Sequence, residues 1–389
     1  MPDLEAFANR ARDTGRFGID TEFMGEGRYR SLLCVVQISV ERDSGDPDDI
    51  EVHVLDALEG DWDPQPIADL LADPEVEVIL HAGRQDVAIL RRTWGTELTN
   101  IFDTQMAAGF TGRGAQMGYE SLLGDVLGVR LKKSASFTKW DKRPLTEEQL
   151  SYAREDVLHI IQLANALQGE LDRLGRLEWA REECKVLETI SDDRDLDTVF
   201  NRLPRVGGLE PAIRAVAREL VEWREETART QDKPVSTVLP DAPLIEIARR
   251  RPKDVDRLRQ IRGLNESVLR RRGKEILAAV ERGREREPIA RDGEKPIGSD
   301  PLDAAAVALC EALVRTRTLE SELAYELVAA RADLERIVRA LRTGADEPKV
   351  RTLEGWRREL VGAELLELLR GRRKLSLRPD HRLAVETAE

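Results

Sequence analysis

One run of residues constrains the fold of this chain more than any other. From Leu32 to Val40 the chain is almost continuously apolar, with only Gln37 and Ser39 interrupting it. A strand of this kind is buried on both faces, whereas a half-exposed strand would alternate apolar and polar residues. We therefore expect this segment to lie inside a sheet whose faces are covered by helices.

The residues around this run predict a regular order of strands and helices. Strands are expected at residues 17–23, 32–40, 51–55, 76–81 and 101–103, and helices at 3–14, 65–72 and 83–94. Three successive strands followed by β-α alternation are typical of a mixed sheet with helices on its faces.

The first strand carries two carboxylates, Asp20 and Glu22, on either side of Thr21. Alternate side chains of a strand share a face, so these two can converge on one point. Neighbouring carboxylates repel each other unless a cation or a proton lies between them, and their oxygens suit hard divalent ions. The alternative is an edge strand on which both acids are exposed to water, so this pair indicates a site only if further residues join it.

Three more residues are candidates for the same site. Asp86 lies in the first turn of the helix after the fourth strand, near the strand end where open α/β sheets place their sites. It could equally complement the helix dipole. Thr146 and Gln149 form a predicted capping box, and Tyr152 and Asp156 share one face of the helix that follows. A core aromatic and a surface acid are the alternative for this last pair.

Residues 130–145 form a basic loop with two interleaved aromatic residues, Phe137 and Trp140. Basic side chains can hold phosphates, and an aromatic ring can stack on a base of single-stranded nucleic acid. A solvated loop anchored by one Trp is the alternative. The nucleic-acid-binding candidates are Lys132, Lys133, Lys139, Trp140, Lys142 and Arg143.

Length and charge indicate several domains with different roles. A chain of 389 residues suggests two or three domains, and its net charge of -13 argues against general adhesion to nucleic acid. The charge is uneven: residues 1–170 hold 17 Lys/Arg against 31 Asp/Glu, whereas residues 208–285 hold 18 against 14. An acidic body followed by a mildly basic module fits a catalytic domain with an appended binding domain.

The remaining composition excludes other kinds of site. The three cysteines are scattered, which excludes a disulfide framework and a cysteine-rich zinc site. The four histidines form no ligand-spaced pair. With neither a secretory signal nor an apolar run of membrane-spanning length, the sequence predicts a soluble, cytoplasmic protein.

Read together, Asp20-Thr21-Glu22, Asp86 and Tyr152-x-x-x-Asp156 resemble the three motifs of the DEDDy 3′-5′ exonucleases. Within that group the chain is similar to the bacterial ribonuclease D family over about residues 15–170. Lys139 departs from the family pattern, since an acidic residue often precedes the Trp there. The flanking residues that agree are Phe23, Gln37, His81-Ala82-Gly83, Asp103-Thr104-Gln105 and Arg143-Pro144-Leu145.

The resemblance extends beyond the nuclease motifs and implies a domain plan. Residues 208–285 resemble the helicase-and-ribonuclease-D C-terminal (HRDC) domain, through segments such as Leu220–Arg224 and Val238–Asp241. Residues 301–371 look like a more diverged copy. The expected boundaries are an exonuclease domain at 1–174, a helical connector at 175–207, a first HRDC domain at 208–285, a linker at 286–300, a second HRDC-like domain at 301–378 and a frayed tail at 379–389.

The resemblance also implies a fold, an activity and a cofactor. The fold would be an α/β ribonuclease H-like mixed sheet with flanking helices, followed by two small all-α domains. Asp20, Glu22, Asp86 and Asp156 would hold two divalent ions, Mg²⁺ or Mn²⁺, and Tyr152 would orient the attacking water. The substrate would be RNA 3′ ends, such as those of tRNA precursors, with no obligate protein partner. A 3′-5′ DNA exonuclease and a non-catalytic RNA-binding scaffold are the alternatives.

Overall fold

The computed structural model of the chain describes residues 3–42, 46, 49–131, 139–290, 300–380 and 382–388. It forms two compact units. The first is drawn from Met1–Glu22, Cys34–Ser191 and Gly298–Glu389, and the second from Phe23–Leu33 and Asp192–Ile297. Within the described part of the chain, no helix is both long and apolar enough to cross a membrane.

A five-stranded mixed sheet forms the centre of the first unit. Its strands lie in the order β3-β2-β1-β4-β5, with β1 in the middle. β2 and β3 pair antiparallel, whereas β1 pairs parallel with β4 and β4 with β5. The predicted mixed sheet with flanking helices is therefore confirmed. The strands are β1 (Arg16–Met24), β2 (Leu32–Glu41), β3 (Ile50–Asp56), β4 (Glu77–Leu80) and β5 (Ile101–Asp103).

The apolar run in β2 is buried as expected. All eight residues from Leu33 to Val40 in β2 are buried. Helices cover the sheet: α1 (Leu4–Thr14), α2 (Gln65–Ala72), α3 (Arg84–Trp94), α4 (Thr104–Ala108), α5 (Tyr119–Val126), α6 (Glu147–Leu158), α7 (Ile160–Arg173) and α8 (Leu177–Cys184).

Gly18 lets helix α7 pack directly on the middle of β1. A Cβ atom at this position would lie 2.3 Å from Cγ2 of Ile160 and 2.5 Å from Oγ of Ser39. Distances of that size are steric overlaps, so no other residue fits without displacing the helix or the neighbouring strand. The strand segment just before Asp20 is thereby fixed against the core.

The second unit contains the helices of the first predicted HRDC domain. Their apolar faces form a core of their own, which includes Leu220, Ile247 and Ile276. The segment 23–33 belongs to this unit: Arg28 pairs with Asp232 at 2.7 Å, and the Tyr29 hydroxyl donates to Glu225 at 3.0 Å. The second unit also includes α9 (Leu196–Asn201) from the predicted connector, and its HRDC helices are α10 (Pro211–Thr230), α11 (Val235–Val238), α12 (Asp241–Arg250), α13 (Val255–Arg259) and α14 (Glu266–Glu285).

The C-terminal module belongs to the first unit and shares its core. Trp356 stacks on Trp179 at 5.5 Å between ring centroids and meets Phe110 edge-on at 4.9 Å. Arg357 forms an ion pair with Glu183 at 2.6 Å. The module was expected to be a separate domain, but its core is continuous with that of the sheet. Its helices are α15 (Pro301–Glu320), α16 (Tyr325–Val328), α17 (Arg331–Thr343), α18 (Gly355–Arg357) and α19 (Ala363–Leu369).

The expectation of a frayed tail after residue 378 is wrong. Strand β6 (Arg373–Leu377) pairs antiparallel with β7 (Leu383–Thr387), from Arg373 opposite Thr387 to Leu377 opposite Leu383. Leu375 and Val385 pack against the core of the first unit, which gives the hairpin an apolar face to bury. This burial stabilises a pairing that a two-stranded hairpin alone would hold only marginally.

The two helical modules follow the same plan 90 residues apart. A 20-residue helix begins at Pro211 in one and at Pro301 in the other. Asp232 and Glu322 then take positive φ angles of 45° and 53°. A four-residue helix follows, at Val235–Val238 and Tyr325–Val328. This correspondence supports the interpretation of residues 301–371 as a second copy.

Candidate active site

Three carboxyl groups meet at the central strand of the sheet. Asp20 and Glu22 extend from the same face of β1, and Asp156 reaches them from α6. One ligand atom from each lies within 4.8 Å of the other two. The capping box of Thr146 and Gln149 that starts α6 is present, so the helix begins where the sequence indicated. Acids far apart in the sequence therefore form one compact group that could hold a cation.

Asp86 lies in the first turn of α3 and is buried, but it approaches the strand differently. Among the described residues, the group whose ligand atoms meet within 4.8 Å does not include it. Its carboxylate instead accepts a hydrogen bond from the hydroxyl of Thr21, the residue between Asp20 and Glu22. Its charge still helps to raise the pKa of both Asp20 and Glu22.

Asp103 at the end of β5 fixes the turn that leads to Asp86. Its buried carboxylate accepts hydrogen bonds from the backbone N–H groups of Ala82 at 3.2 Å and Gly83 at 2.8 Å. It also caps α4 through the N–H groups of Gln105 and Met106. One side chain thus anchors the start of both α3 and α4, and sets the position of Asp86.

Burial raises the pKa of every acid in this group, and repulsion between its members adds to the shift at Asp20 and Glu22. Burial, followed by the charges of Asp86, Asp156 and Glu22, holds the pKa of Asp20 well above its ordinary value. Burial and then Asp156 raise the pKa of Glu22 to about 8. The pKa of Asp156 rises to about 7 and that of Asp86 to about 6, in both cases mainly through burial. Within the described part of the chain, no cationic side chain is among the main influences on the pKa of Asp20 or Glu22, so the repulsion between the acids is not offset there.

Tyr152 lies one helical turn before Asp156 and is half-buried. Burial, followed by the charges of Asp156, Glu22 and Asp20, raises the pKa of its phenol above the ordinary value. The ring centroid lies 6.1 Å from that of Trp140, with an angle of 40° between the planes. The hydroxyl therefore stays protonated at neutral pH and can donate a hydrogen bond towards the acids.

The structure places Trp140 and Arg143 inside the fold. Trp140 is only 3% exposed, so its ring has no free face on which a base could stack. The Arg143 guanidinium forms a two-pronged ion pair with Asp56, both contacts at 2.6 Å, and also donates to the Cys34 carbonyl oxygen. Trp140 and Arg143 therefore anchor the loop in the fold, which was the alternative to nucleic-acid binding. Lys139 and Lys142 are exposed, while Lys132 and Lys133 lie outside the described residues.

Two polar side chains of the first unit, the partly buried Tyr119 and the buried Gln37, were not among the candidates. The pKa of Tyr119 is raised by burial and then by Asp156 and Asp20, which places its phenol within reach of their charge. Gln37 in β2 is fully buried, and neither its side-chain oxygen nor its nitrogen has a hydrogen-bond partner. A polar residue in the middle of an apolar run was a usable signal for Gln37. No local pattern singles out Tyr119.

Comparisons with known proteins agree with this arrangement. A family model described as a 3′-5′ exonuclease matches residues 2–172, and one described as an HRDC domain matches residues 213–280. Ribonuclease D of Gluconacetobacter diazotrophicus is 35% identical over 385 residues, covering 96% of this chain and 93% of the relative. Ribonuclease D of Nitrobacter hamburgensis is 35% identical over 370 residues, covering 95% and 93%.

Solved structures give the same result. The crystal structure of Escherichia coli RNase D, described as an exoribonuclease involved in structured RNA processing, is similar with a TM-score of 0.79 and 27% sequence identity. The similarity covers 94% of this chain and 96% of that one. The fold, the acidic site and the HRDC module together define the class of 3′-5′ exonucleases with appended helical domains.

Within that class the chain belongs to the ribonuclease D family, which its similarity to these relatives over nearly its whole length shows. The protein is a 3′-5′ exoribonuclease, as the sequence predicted. Its exonuclease family works with divalent metal ions, and the acidic group on β1 and α6 is a candidate place for them.

Proposed function

We propose that the protein trims the 3′ ends of tRNA precursors and other structured RNAs in the cytoplasm, and releases 5′-nucleotides by two-metal-ion hydrolysis. The observation that carries the proposal is the meeting of Asp20, Glu22 and Asp156 within 4.8 Å, with Asp86 held by a hydrogen bond from Thr21. The relative from Escherichia coli, described as acting in structured RNA processing, supports the substrate class.

The donor set fits hard divalent cations. It consists of carboxylate oxygens, which Mg²⁺ and Mn²⁺ prefer over softer ligands. Burial, and then the charges of the neighbouring acids, raise the pKa of Asp20 and Glu22, and bound cations would relieve this repulsion. Asp20, Glu22, Asp86 and Asp156 would hold the ions. Bound divalent ions supply activation of water and neutralisation of charge at the scissile phosphate.

The protein's own side chains would position the reactants. Tyr152 keeps its proton and donates a hydrogen bond that orients the attacking water, so we do not assign it the role of a base. Thr21 holds Asp86 by donating to its carboxylate. Asp103 keeps the start of α3 in place through the N–H groups of Ala82 and Gly83. The exposed Lys139 and Lys142 would offset repulsion between the acidic body and a polyanionic RNA end.

The two helical modules would hold the body of the RNA while its single-stranded 3′ end enters the site. The first module carries the basic excess of the chain, with 18 Lys/Arg against 14 Asp/Glu in residues 208–285. The second repeats its plan 90 residues later, as the helices at Pro211 and Pro301 illustrate.

Digestion of matched RNA and DNA oligonucleotides tests this proposal directly. Both should carry a 5′ label, the same base order and an unpaired 3′ end, and each should be incubated with Mg²⁺, with Mn²⁺ and with EDTA. We expect stepwise shortening of the RNA from its 3′ end with either metal, none in EDTA, and slower shortening of the DNA. DNA shortened as fast as RNA would favour the DNA exonuclease, and no release of nucleotides with either metal would favour a binding scaffold.

A further inference from the structure

The second unit contains a cavity of about 390 Å³ with an unusual charge pattern. Three cations line it: Lys233 from the turn after α10, and Arg271 and Arg272 from α14. The neutral polar side chains of Gln231 and Thr237 also line it, together with a single acid, Glu275. The cavity is far along the chain from the nuclease motifs, and nothing in the proposed reaction uses it.

The two arginines of this cavity donate hydrogen bonds to neutral groups. Arg272 is 9% exposed and donates to the Thr237 carbonyl oxygen at 3.3 Å and to Gln231 Oε1 at 2.7 Å. Arg271 donates to the carbonyl oxygen and hydroxyl of Ser267, at 3.1 Å and 2.9 Å. Across the described ranges, no carboxylate lies within ion-pair distance of either guanidinium or of the Lys233 ammonium. Glu275 instead accepts a hydrogen bond from Trp223 Nε1 at 3.3 Å.

Two other buried arginines of this protein pair with carboxylates. Arg224, in the same module, pairs with Asp241 at 2.6 Å, and Arg357 in the C-terminal module pairs with Glu183 at 2.6 Å. A buried charge without an opposite charge is costly, and two adjacent guanidinium groups repel each other as well. Burial, followed by the charge of Arg271, accordingly lowers the pKa of Arg272, and the charge of Glu275 offsets this only in part. An anion in the cavity would relieve this cost.

The chemistry of the lining favours a phosphate group as that anion. Guanidinium groups match the oxygens of phosphate in a two-pronged geometry, and an ammonium group adds a point charge. Lys233 and Arg271 are both exposed at the cavity, so a phosphate that is part of a larger molecule can reach them. The side chains of Gln231 and Thr237 offer polar groups beside the cations.

We propose that Lys233, Arg271 and Arg272 form a binding pocket for a backbone phosphate of the RNA substrate. This inference rests on the proposed function, since it identifies the residues through which the first helical module would bind the RNA body. Such a contact fixes the position of the RNA and carries no base specificity.

Substitution of the two exposed cations tests the pocket with limited risk to folding. The variant is full-length Lys233→Gln/Arg271→Gln, which leaves the buried Arg272 in place. The control is Arg249→Gln/Arg250→Gln, which removes the same charge from two exposed residues on α12 of the same module. Dissociation constants are measured in EDTA for an RNA hairpin with a single-stranded 3′ tail, at several salt concentrations, with thermal unfolding as a check on folding.

The pocket variant should bind the hairpin RNA about tenfold more weakly, and its log-log salt dependence should be shallower by about one, as expected for one lost phosphate contact. The control should show less than half of that change in log Kd. Equal losses in the pocket and control variants would overturn the inference, since the effect would then be general electrostatics. Unchanged binding in both would overturn it too.

Two further measurements are needed. One distinguishes an RNA phosphate from free phosphate, and the other distinguishes failure of this inference from failure of the proposed function. In ¹H-¹⁵N NMR, the Arg271 and Arg272 signals should shift on addition of the hairpin RNA. A response to inorganic phosphate alone, with RNA affinity unaffected by the variant, would contradict an RNA occupant. Because the binding assay contains EDTA, its result is independent of catalysis. Nucleotide release from a short single strand by the wild-type protein with Mg²⁺ reports on the proposed function separately.

Discussion

At the scale of single residues, the acids on β1 and α6 lower the free energy of unfolding by an amount that depends on pH. Burial and repulsion raise the pKa of Glu22 to about 8 and that of Asp156 to about 7. Between their ordinary values near 4 and these raised values, the folded protein holds protons that the unfolded chain has released. The free energy of unfolding contributed by these groups therefore falls as pH rises from about 5 to about 8.

Asp156→Asn isolates this effect, because it removes one raised pKa and one repelling charge. In EDTA we expect the variant to melt at a higher temperature than the wild type, with a difference that grows from pH 5 to pH 8. The lowered pKa of His81 opposes the trend near pH 6, but it is common to both proteins and cancels in the difference. Mg²⁺ should stabilise the wild type more at pH 8 than at pH 5. A difference in Tm that is constant or shrinks over this range would contradict the account.

Some contacts of single residues can be predicted from local sequence patterns, and others cannot. The alternation of a strand was enough to put Asp20 and Glu22 on one face. The hydrogen bond from Thr21 to Asp86 was not foreseeable, because it joins residues 65 positions apart through the packing of α3 on the sheet. The ion pair of Arg143 was not foreseeable either, because its partner, Asp56, lies 87 positions away in the sequence.

At the scale of elements, the C-terminal module is part of the nuclease core. Trp356 in α18 is 1% exposed and lies between Trp179 of α8 and Phe110. Its Nε1 donates to Glu183 at 3.2 Å. Removal of residues 301–388 would therefore uncover the apolar surface of the sheet-bearing unit. RNA binding by the modules has to be tested by surface substitutions, because a deletion of both would also damage the core.

Trp356→Ala should destabilise the protein by about 3–5 kcal/mol, the range for truncation of a large buried aromatic residue. Chemical denaturation followed by circular dichroism measures the loss. Trp223→Ala is the matched control, because Trp223 is only partly buried in the second unit and should cost clearly less. A loss below about 1 kcal/mol for Trp356→Ala would show that the module does not contribute to that core.

At the scale of the whole molecule, the sequence predicted the order of elements well and their long-range packing poorly. Strands β1 to β5 and helices α1 to α3 were expected within about one or two residues, because apolar periodicity and capping residues are local. The hairpin of β6 and β7 and the shared core of residues 301–371 were missed. Both depend on burial against distant parts of the chain, as Leu375 and Val385 illustrate. The five motif residues pointed to one site only through their resemblance to a family.

Hydrolysis at the RNA 3′ end should require the acids of β1 and α6 to act together. Single-turnover digestion of a 5′-labelled RNA with saturating Mg²⁺ tests it, with Asp20→Asn and Asp156→Asn compared against the wild type. We predict rates lower by orders of magnitude in both variants, with the RNA dissociation constant largely unchanged. Rates equal to that of the wild type in both variants would contradict the claim.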